Sequence, residues 1–310
     1  MKYRKLGSTG CEVSILGFGT SPFGDVYGRT STAQIQRAVD AAIDLGVNFF
    51  DTSPYYGLTL AEERLGNALQ GNRNKILLAT KCGRYGMSEF DFSRASIRAS
   101  VEASLRRLRT DHVDLLQAHD IEFGHESQIV EETLPAMREL QAEGKTRFIG
   151  ITAYPVKLLR RVAEAAPVDT ILSYCRYSLR NTDMEDVLAP LAKHTATGLI
   201  NASPLMMGLL TRSGVPAWHP ASPELKEAGR RADAAAESEG GDLATLALQF
   251  AVTPTFAAST LIGMATAEEV ERNVRAISGA ANSDVLRTVR AVIGNGFATT
   301  WVSGLAENAD

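Results

Sequence analysis

Cysteine is scarce in this 310-residue chain: Cys11, Cys82 and Cys175 stand far apart. They supply neither a disulfide framework nor paired metal ligands, so no metal site is expected, and reduced thiols fit a cytoplasmic protein. A basic excess is absent too. Lys and Arg number 32 against 36 Asp and Glu, a net charge of −4, which argues against nucleic acid as a partner. No apolar run approaches the roughly 18 residues of a membrane span. The opening MKYRKLGSTG lacks the apolar stretch of a signal peptide. No Pro/Gly/Ser-rich linker or low-complexity segment divides the chain, so a single domain over 1–310 is expected. With 45% hydrophobic and 22% charged residues, it has the means to bury a sizeable core.

What recurs is a short β-branched or aromatic run followed by an amphipathic stretch. The strand-like runs are SILGFGT (14–20), VNFFD (47–51), KILLATK (75–81), VDLLQAH (113–119), TRFIGIT (146–152), TILSY (170–174), TGLINAS (197–203) and ASTLIG (258–263). Between them, apolar residues repeat at helical spacing, as in Ile35, Ala38, Val39, Ala42 and Ile43, with LATLALQFAV as the helix after the seventh strand. Alternating β and α calls for a parallel sheet, and eight such units predict an α/β fold of the (β/α)8 TIM-barrel type. YRKLGSTGCEVS reads as an N-terminal β-hairpin capping the barrel bottom. The tail after Ser278 reads as helical around Val285–Ile293 and then fraying.

In such barrels the active site lies at the C-terminal ends of the strands. Asp51, Lys81 and His119 end strands two, three and four, and Tyr56 lies just beyond Asp51. Singly, each has a plain explanation: an aspartate caps a turn, a lysine is solvated surface, a histidine is structural. Together on successive strand ends they make a proton-handling group. A free tyrosine titrates near 10. A neighbouring Lys81 ammonium is expected to lower that value, with Asp51 holding the lysine and His119 orienting a substrate oxygen or passing a proton. Tyr56 is then general acid for carbonyl reduction, or base for alcohol oxidation. None of these groups accepts hydride, which implies a nicotinamide cofactor. His112, His125, His194 and His219 are set aside as structural.

FDTSPYYG, LLATKCG and VDLLQAH resemble, in order and spacing, the catalytic segments of the aldo-keto reductases, and the resemblance runs over essentially the whole chain. It implies a (β/α)8 barrel, a nicotinamide cofactor, and Asp51, Tyr56, Lys81 and His119 as catalytic residues. It also implies cofactor contacts at Thr20, Thr152, Tyr174, Ser203, Leu205, Gly208, Gly263, Glu269 and Asn273. Several depart from the family pattern. Thr152-Ala153 stands where Ser-Asn usually holds the carboxamide, Tyr174 stands for a glutamine, and Ala202 for a stacking tyrosine, so that Tyr174 or Tyr177 is left to supply a ring surface. The lysine and arginine that usually meet the 2′-phosphate of NADP align with Gly263 and Glu269. A carboxylate there repels a phosphate dianion and can accept from a ribose hydroxyl, so NAD is expected over NADP, with Arg272 close enough in sequence to work against that preference.

LLQAHDIEFG, GKTRFIGITAYPVK and ASPLMMGLLT resemble the branch of that family that oxidises L-galactose at C1 to L-galactono-1,4-lactone, a step towards ascorbate. The implied partner is a small-molecule aldose. Asp120 and Arg176 are expected to meet its hydroxyls and Trp218 its apolar face; Glu122 and Phe123 are either further contacts or loop surface. An L-fucose or D-arabinose 1-dehydrogenase is the nearest alternative, and a cofactor-sensing binding subunit a more distant one. Cys82 reads as a small buried hydrophobe, with an oxidisable thiol beside Lys81 as the alternative. With no unexplained apolar helix face, a monomer is expected.

Overall fold

The protein is described by a computed structural model covering residues 1–294 and 301–310. Its N-terminal strands β1 (Tyr3–Lys5) and β2 (Glu12–Ser14) pair antiparallel as a hairpin. Eight further strands follow: β3 (Leu16–Gly19), β4 (Phe49–Asp51), β5 (Leu77–Cys82), β6 (Val113–Ala118), β7 (Thr146–Ala153), β8 (Thr170–Tyr174), β9 (Gly198–Ala202) and β10 (Ala257–Gly263). They close a parallel barrel in chain order, with β10 pairing both β9 and β3. The alternation read from sequence is therefore the observed topology, with strand ends differing by a residue or two.

The hairpin sits under the N-terminal ends of the strands. Arg4 donates to the carbonyls of Val252, Pro254 and Ala257 at 2.8, 2.6 and 2.8 Å, bolting the hairpin beneath β10. Leu6 and Val13 join Phe49, Ala79, Leu115, Leu172 and Ile200 in the cluster that fills the barrel interior. Packing this end with apolar side chains leaves the opposite end as the one open to chemistry.

Helices α1 (Thr32–Asp44), α2 (Leu60–Ala68) and α3 (Arg94–Leu108) follow β3, β4 and β5. After β6 come α4 (Glu126–Gln128), a π-helical turn Ile129–Thr133 and α5 (Leu134–Ala142). Then α6 (Val156–Ala165) follows β7, α7 (Asp183–Thr195) follows β8, and α8 (Pro223–Ser238) and α9 (Leu243–Val252) both follow β9. The shell is completed by α10 (Ala267–Ala276) and α11 (Ser283–Ile293). Outward strand residues such as Phe50, Leu78 and Cys82 pack against these helices, while their neighbours in sequence point inward, as strand alternation requires.

Three expectations need correction here. Helix α8 was not anticipated; it lies in the long excursion after β9, started by the Ser222 cap and Pro223. Tyr177 does not face the barrel mouth: it stacks on Phe250 (5.3 Å between ring centres) in the helical shell. The tail does not end in fraying. Part of it, 295–300, lies outside the described residues, but 301–310 docks on the barrel top. There Leu305 N donates to the Glu122 carbonyl at 2.8 Å, and Asp310 accepts from the free amides of Val156 and Lys157 at the start of α6, at 3.0 and 2.9 Å.

Candidate active site

Strand pairing decides which side chains meet at the open end. Asp51 lies beside Ala79 on β5, and Lys81 beside Gln117 on β6, so Asp51, Lys81 and Gln117 all point inward from adjacent strands. Lys81 donates to Asp51 Oδ1, to the Thr52 carbonyl (2.8 Å) and towards the Tyr56 hydroxyl (3.2 Å). Its side chain is 2% exposed, so it is no solvated surface lysine. Gln117 Nε2 donates to Asp51 Oδ2 at 2.8 Å, and both carboxylate oxygens are thereby held. Thr20 donates to the Asp51 carbonyl from its hydroxyl at 3.0 Å, tying β3 to the same point.

Tyr56 is fixed from behind by two glycines. Gly57 has φ +63, and a Cβ there would meet the Gly24 carbonyl oxygen at 2.3 Å; a Cβ on Gly24 would meet Gly57 N at 2.6 Å. Only glycine lets these two loops press together at the residue that aims the phenol.

His119 lies edge-on to the Tyr56 ring, 5.9 Å between centres. Its Nδ1 is 3.0 Å from Ser53 Oγ, which accepts from Tyr55 N at 3.1 Å. Were Nδ1 the donor, the buried Ser53 proton would have no acceptor among these partners. Ser53 therefore donates to Nδ1, and the imidazole carries its proton on Nε2.

Burial sets the proton affinities. It opposes the charge on Lys81, yet Asp51 and Tyr56 hold that ammonium above its ordinary value. Burial, aided by the Lys81 and Arg84 cations, pushes His119 well below its own, so the ring is neutral near pH 7. Tyr56 differs from expectation. Its phenol is pushed up to about 12, because burial outweighs the attraction of Lys81 for the phenolate. Cys82 is fully buried and burial pushes its thiol up, which favours the packing role over a reactive thiolate.

The residues expected at the cofactor fall on one arc, from β7 through β8, β9 and β10 to β3, adjoining the β4–β6 arc that carries the proton-handling group. Thr152 is buried and accepts from Asp120 N at 3.1 Å, leaving its own hydroxyl proton. Tyr174 donates to Glu122 Oε1 at 3.1 Å. Ser203, Leu205 and Gly208 form the loop directly after β9. Gly263 is the exposed end of β10; a Cβ there would come within 3.0 Å of the Pro22 ring. Glu269 Oε2 accepts from Ala265 N at 2.6 Å, so its carboxylate already sits at the N-terminus of α10, with Asn273 buried one turn on.

Of the residues expected at a sugar, Trp218 stands half-exposed on the rim, edge-on to Tyr27 (5.7 Å). Asp120 is buried beside His119 and paired with Arg84. Arg176 is buried, and its Nη2 pairs with Asp183 (2.9 Å) and with Asp310, so that this part of the guanidinium secures the docked tail. Phe123 stacks on Phe90 (4.2 Å). Glu122 is not loop surface but completely buried. Its Oε1 accepts from Tyr154 N, the Tyr174 hydroxyl and Ser303 Oγ at 3.2, 3.1 and 2.9 Å. Gln117 and Ser53 were not singled out from sequence. For Gln117 a signal existed: it lies two residues before His119, on the inward face that alternation assigns.

Burial and the nearby Asp120 charge push the Glu122 carboxyl up to about 8. Its folded value lies above the unfolded one, so its contribution to stability is full below the ordinary carboxylate range and lost as the pH rises through about 8. Resistance of the wild type to urea should fall over that window, whereas Glu122→Gln should flatten the dependence. Equal pH profiles for the two proteins would show that Glu122 is not the group responsible.

A model of the aldo/keto reductase family matches residues 15–293. The chain belongs to the aldo/keto reductase family. It is 46% identical over 318 residues to L-galactose dehydrogenase of Arabidopsis thaliana, covering 99% of each chain. It is also similar to D-arabinose 1-dehydrogenase of Saccharomyces cerevisiae, 32% identical over 76% of this chain and 74% of that one. D-threo-aldose 1-dehydrogenase of a Pseudomonas species is 31% identical, covering 66% and 70%. Among solved structures, the holo form of an aldo-keto reductase from Bacillus halodurans matches with a TM-score of 0.79, at 26% identity over 100% of both chains. This aldo/keto reductase is thus an oxidoreductase with aldose dehydrogenases among its relatives. Among its described residues no helix is long and apolar enough to cross a membrane, and no cluster of ligands could hold a metal ion.

Proposed function

We propose that this aldo/keto reductase is an NAD-dependent aldose 1-dehydrogenase that oxidises L-galactose at C1 to L-galactono-1,4-lactone. The observation carrying it is the Tyr56 hydroxyl 3.2 Å from a Lys81 ammonium that Asp51 and Gln117 lock in place. Bound nicotinamide supplies the hydride acceptor. Tyr56 takes the C1 hydroxyl proton while the C1–H bond breaks and the carbonyl forms. Lys81 stabilises the Tyr56 phenolate that must be present before the proton arrives, and the Nε2–H of His119 steadies the reacting oxygen. Asp120 and Trp218 meet the sugar.

The residues that would hold a dinucleotide are the exposed Gly263 beside Pro22, the Ser203–Gly208 loop, and Thr152 with the Tyr174 ring for the nicotinamide. Glu269 already supplies the negative charge at the start of α10, where the 2′-phosphate of NADP would have to lie, and this supports NAD. Glu269→Gln should raise kcat/KM for NADP relative to NAD by about tenfold, the effect of removing one like charge near a phosphate. An unchanged ratio, or a wild type that prefers NADP, would refute the cofactor assignment.

The relatives that oxidise D-arabinose and D-threo-aldoses favour a second reading, in which L-fucose or D-arabinose is preferred. L-Fucose lacks one hydroxyl of L-galactose, so a site that bonds that hydroxyl should discriminate strongly. The deciding experiment compares kcat/KM for the two sugars with NAD. L-Galactose is expected to win; a higher value for L-fucose selects the second reading. Tight NAD binding without turnover of any aldose would instead mark a cofactor-sensing subunit.

A further inference from the structure

Asp120 is held in a left-handed conformation (φ 52) directly after His119, and its Oδ2 lies 3.6 Å from His119 Nε2. That is just beyond hydrogen-bonding range. The same Oδ2 is taken by Arg84, which enters from the segment after β5. The Arg84 guanidinium lies 3.8 Å from the centre of the Tyr55 ring, with Phe90 and Phe123 at 5.2 and 5.6 Å. An aromatic box therefore fixes the cation over a carboxylate that would otherwise be the strongest acceptor near Nε2.

We propose that Arg84 is a positioning residue for the reaction: by occupying Asp120, it keeps that carboxylate from capturing the Nε2–H of His119, which stays aimed at the reacting oxygen. The other charged or titratable groups facing His119 are Lys81 from β5, Tyr55 and Tyr56 from beyond β4, and Asp51 behind Lys81. All of these remain when Arg84 is removed, which leaves two changes for the double variant to separate: the uncovered Asp120 carboxylate, and the loss of the Arg84 cation that itself disfavours protonation of His119. A bare Asp120 carboxylate would draw the imidazole into a charged pair, and a protonated, captured His119 can no longer serve as a free neutral donor. Aspartate at 120 thus has an opposing partner built into the site, and the two should behave as a unit.

The inference rests on the role given to His119 above, so its test reads His119 itself and needs no turnover. Histidine 13C and 15N shifts of the whole protein would be followed against pH, with His119 assigned through its loss in His119→Gln. In Arg84→Gln, about tenfold more protonated His119 is expected at a given pH, the usual effect of one uncovered charge at this range. The same variant should lose kcat/KM for the aldose most at the acid end of its profile. Arg84→Lys, which keeps the charge, should titrate like the wild type. Arg84→Gln/Asp120→Asn should also return His119 to the wild-type titration, since asparagine tolerates the left-handed backbone and carries no charge. Unchanged His119 shifts in Arg84→Gln, or a perturbation that persists in the double variant, would overturn the proposal. A correct His119 response together with no aldose turnover would instead count against the functional reading alone.

Discussion

Tyr56→Phe should lower kcat for aldose oxidation by about 10²–10⁴-fold while leaving NAD affinity nearly unchanged. The size follows from what remains. Asp51 cannot replace the phenol as base, because both its oxygens are held, by Lys81 and by Gln117. Nor can His119, whose Nδ1 is turned towards Ser53 and whose Nε2 carries the proton. The ring itself, with its edge contact to His119, is preserved in phenylalanine, so only the proton acceptor is lost. Initial rates of NADH formation, alongside NAD titration by fluorescence, check this. A variant retaining more than a tenth of the wild-type rate would place the base elsewhere.

The second large effect is expected from Lys81→Met, and it has two separable parts. The Asp51–Lys81 pair is almost wholly buried, at 4% and 2% side-chain exposure. Removing the cation leaves an uncompensated carboxylate, for which the loss in stability is about 3–5 kcal/mol. The phenolate simultaneously loses its stabilising charge, so turnover should fall at least as far as in Tyr56→Phe. Adding Asp51→Asn separates the two, because it removes the stranded charge. Denaturant unfolding should show stability largely restored in Lys81→Met/Asp51→Asn, with kcat remaining as low as in the single variant. Recovery of both would mean that Lys81 acts only through the fold.

Much of this architecture is legible in the sequence because the barrel repeats one local pattern. Each strand is a short apolar run, each helix a 3.6-residue period, and their alternation alone fixes the closed parallel sheet. The residues at the ends of β4, β5 and β6 were legible for the same reason, since neighbouring strands in the chain are neighbours in the barrel. One helix per strand is also where that template misleads: it assigned the segment after β9 a single helix and passed over α8, despite the cap at Ser222 and Pro223.

The remaining gaps are contacts between distant segments. Ser303 meets Glu122 across 181 residues, and nothing local in DIEFG signals that its glutamate is sealed under residues 301–310. Arg176 has the same history: nothing local to it signals that Asp310, 134 residues away, pairs with its Nη2. The upward push on Tyr56 is likewise a property of burial, which the sequence does not carry. Only the attractive partner, Lys81, was visible in advance.

The most direct test is the pH dependence of kcat/KM for L-galactose oxidation with NAD, in the wild type and in Tyr56→Phe. A buried phenol with a high proton affinity, acting as base, predicts a wild-type value that climbs by about tenfold per pH unit through the neutral range, and a slope that vanishes in the phenylalanine variant. A flat wild-type profile, or the same climb in both proteins, would contradict Tyr56 as the group that takes the proton.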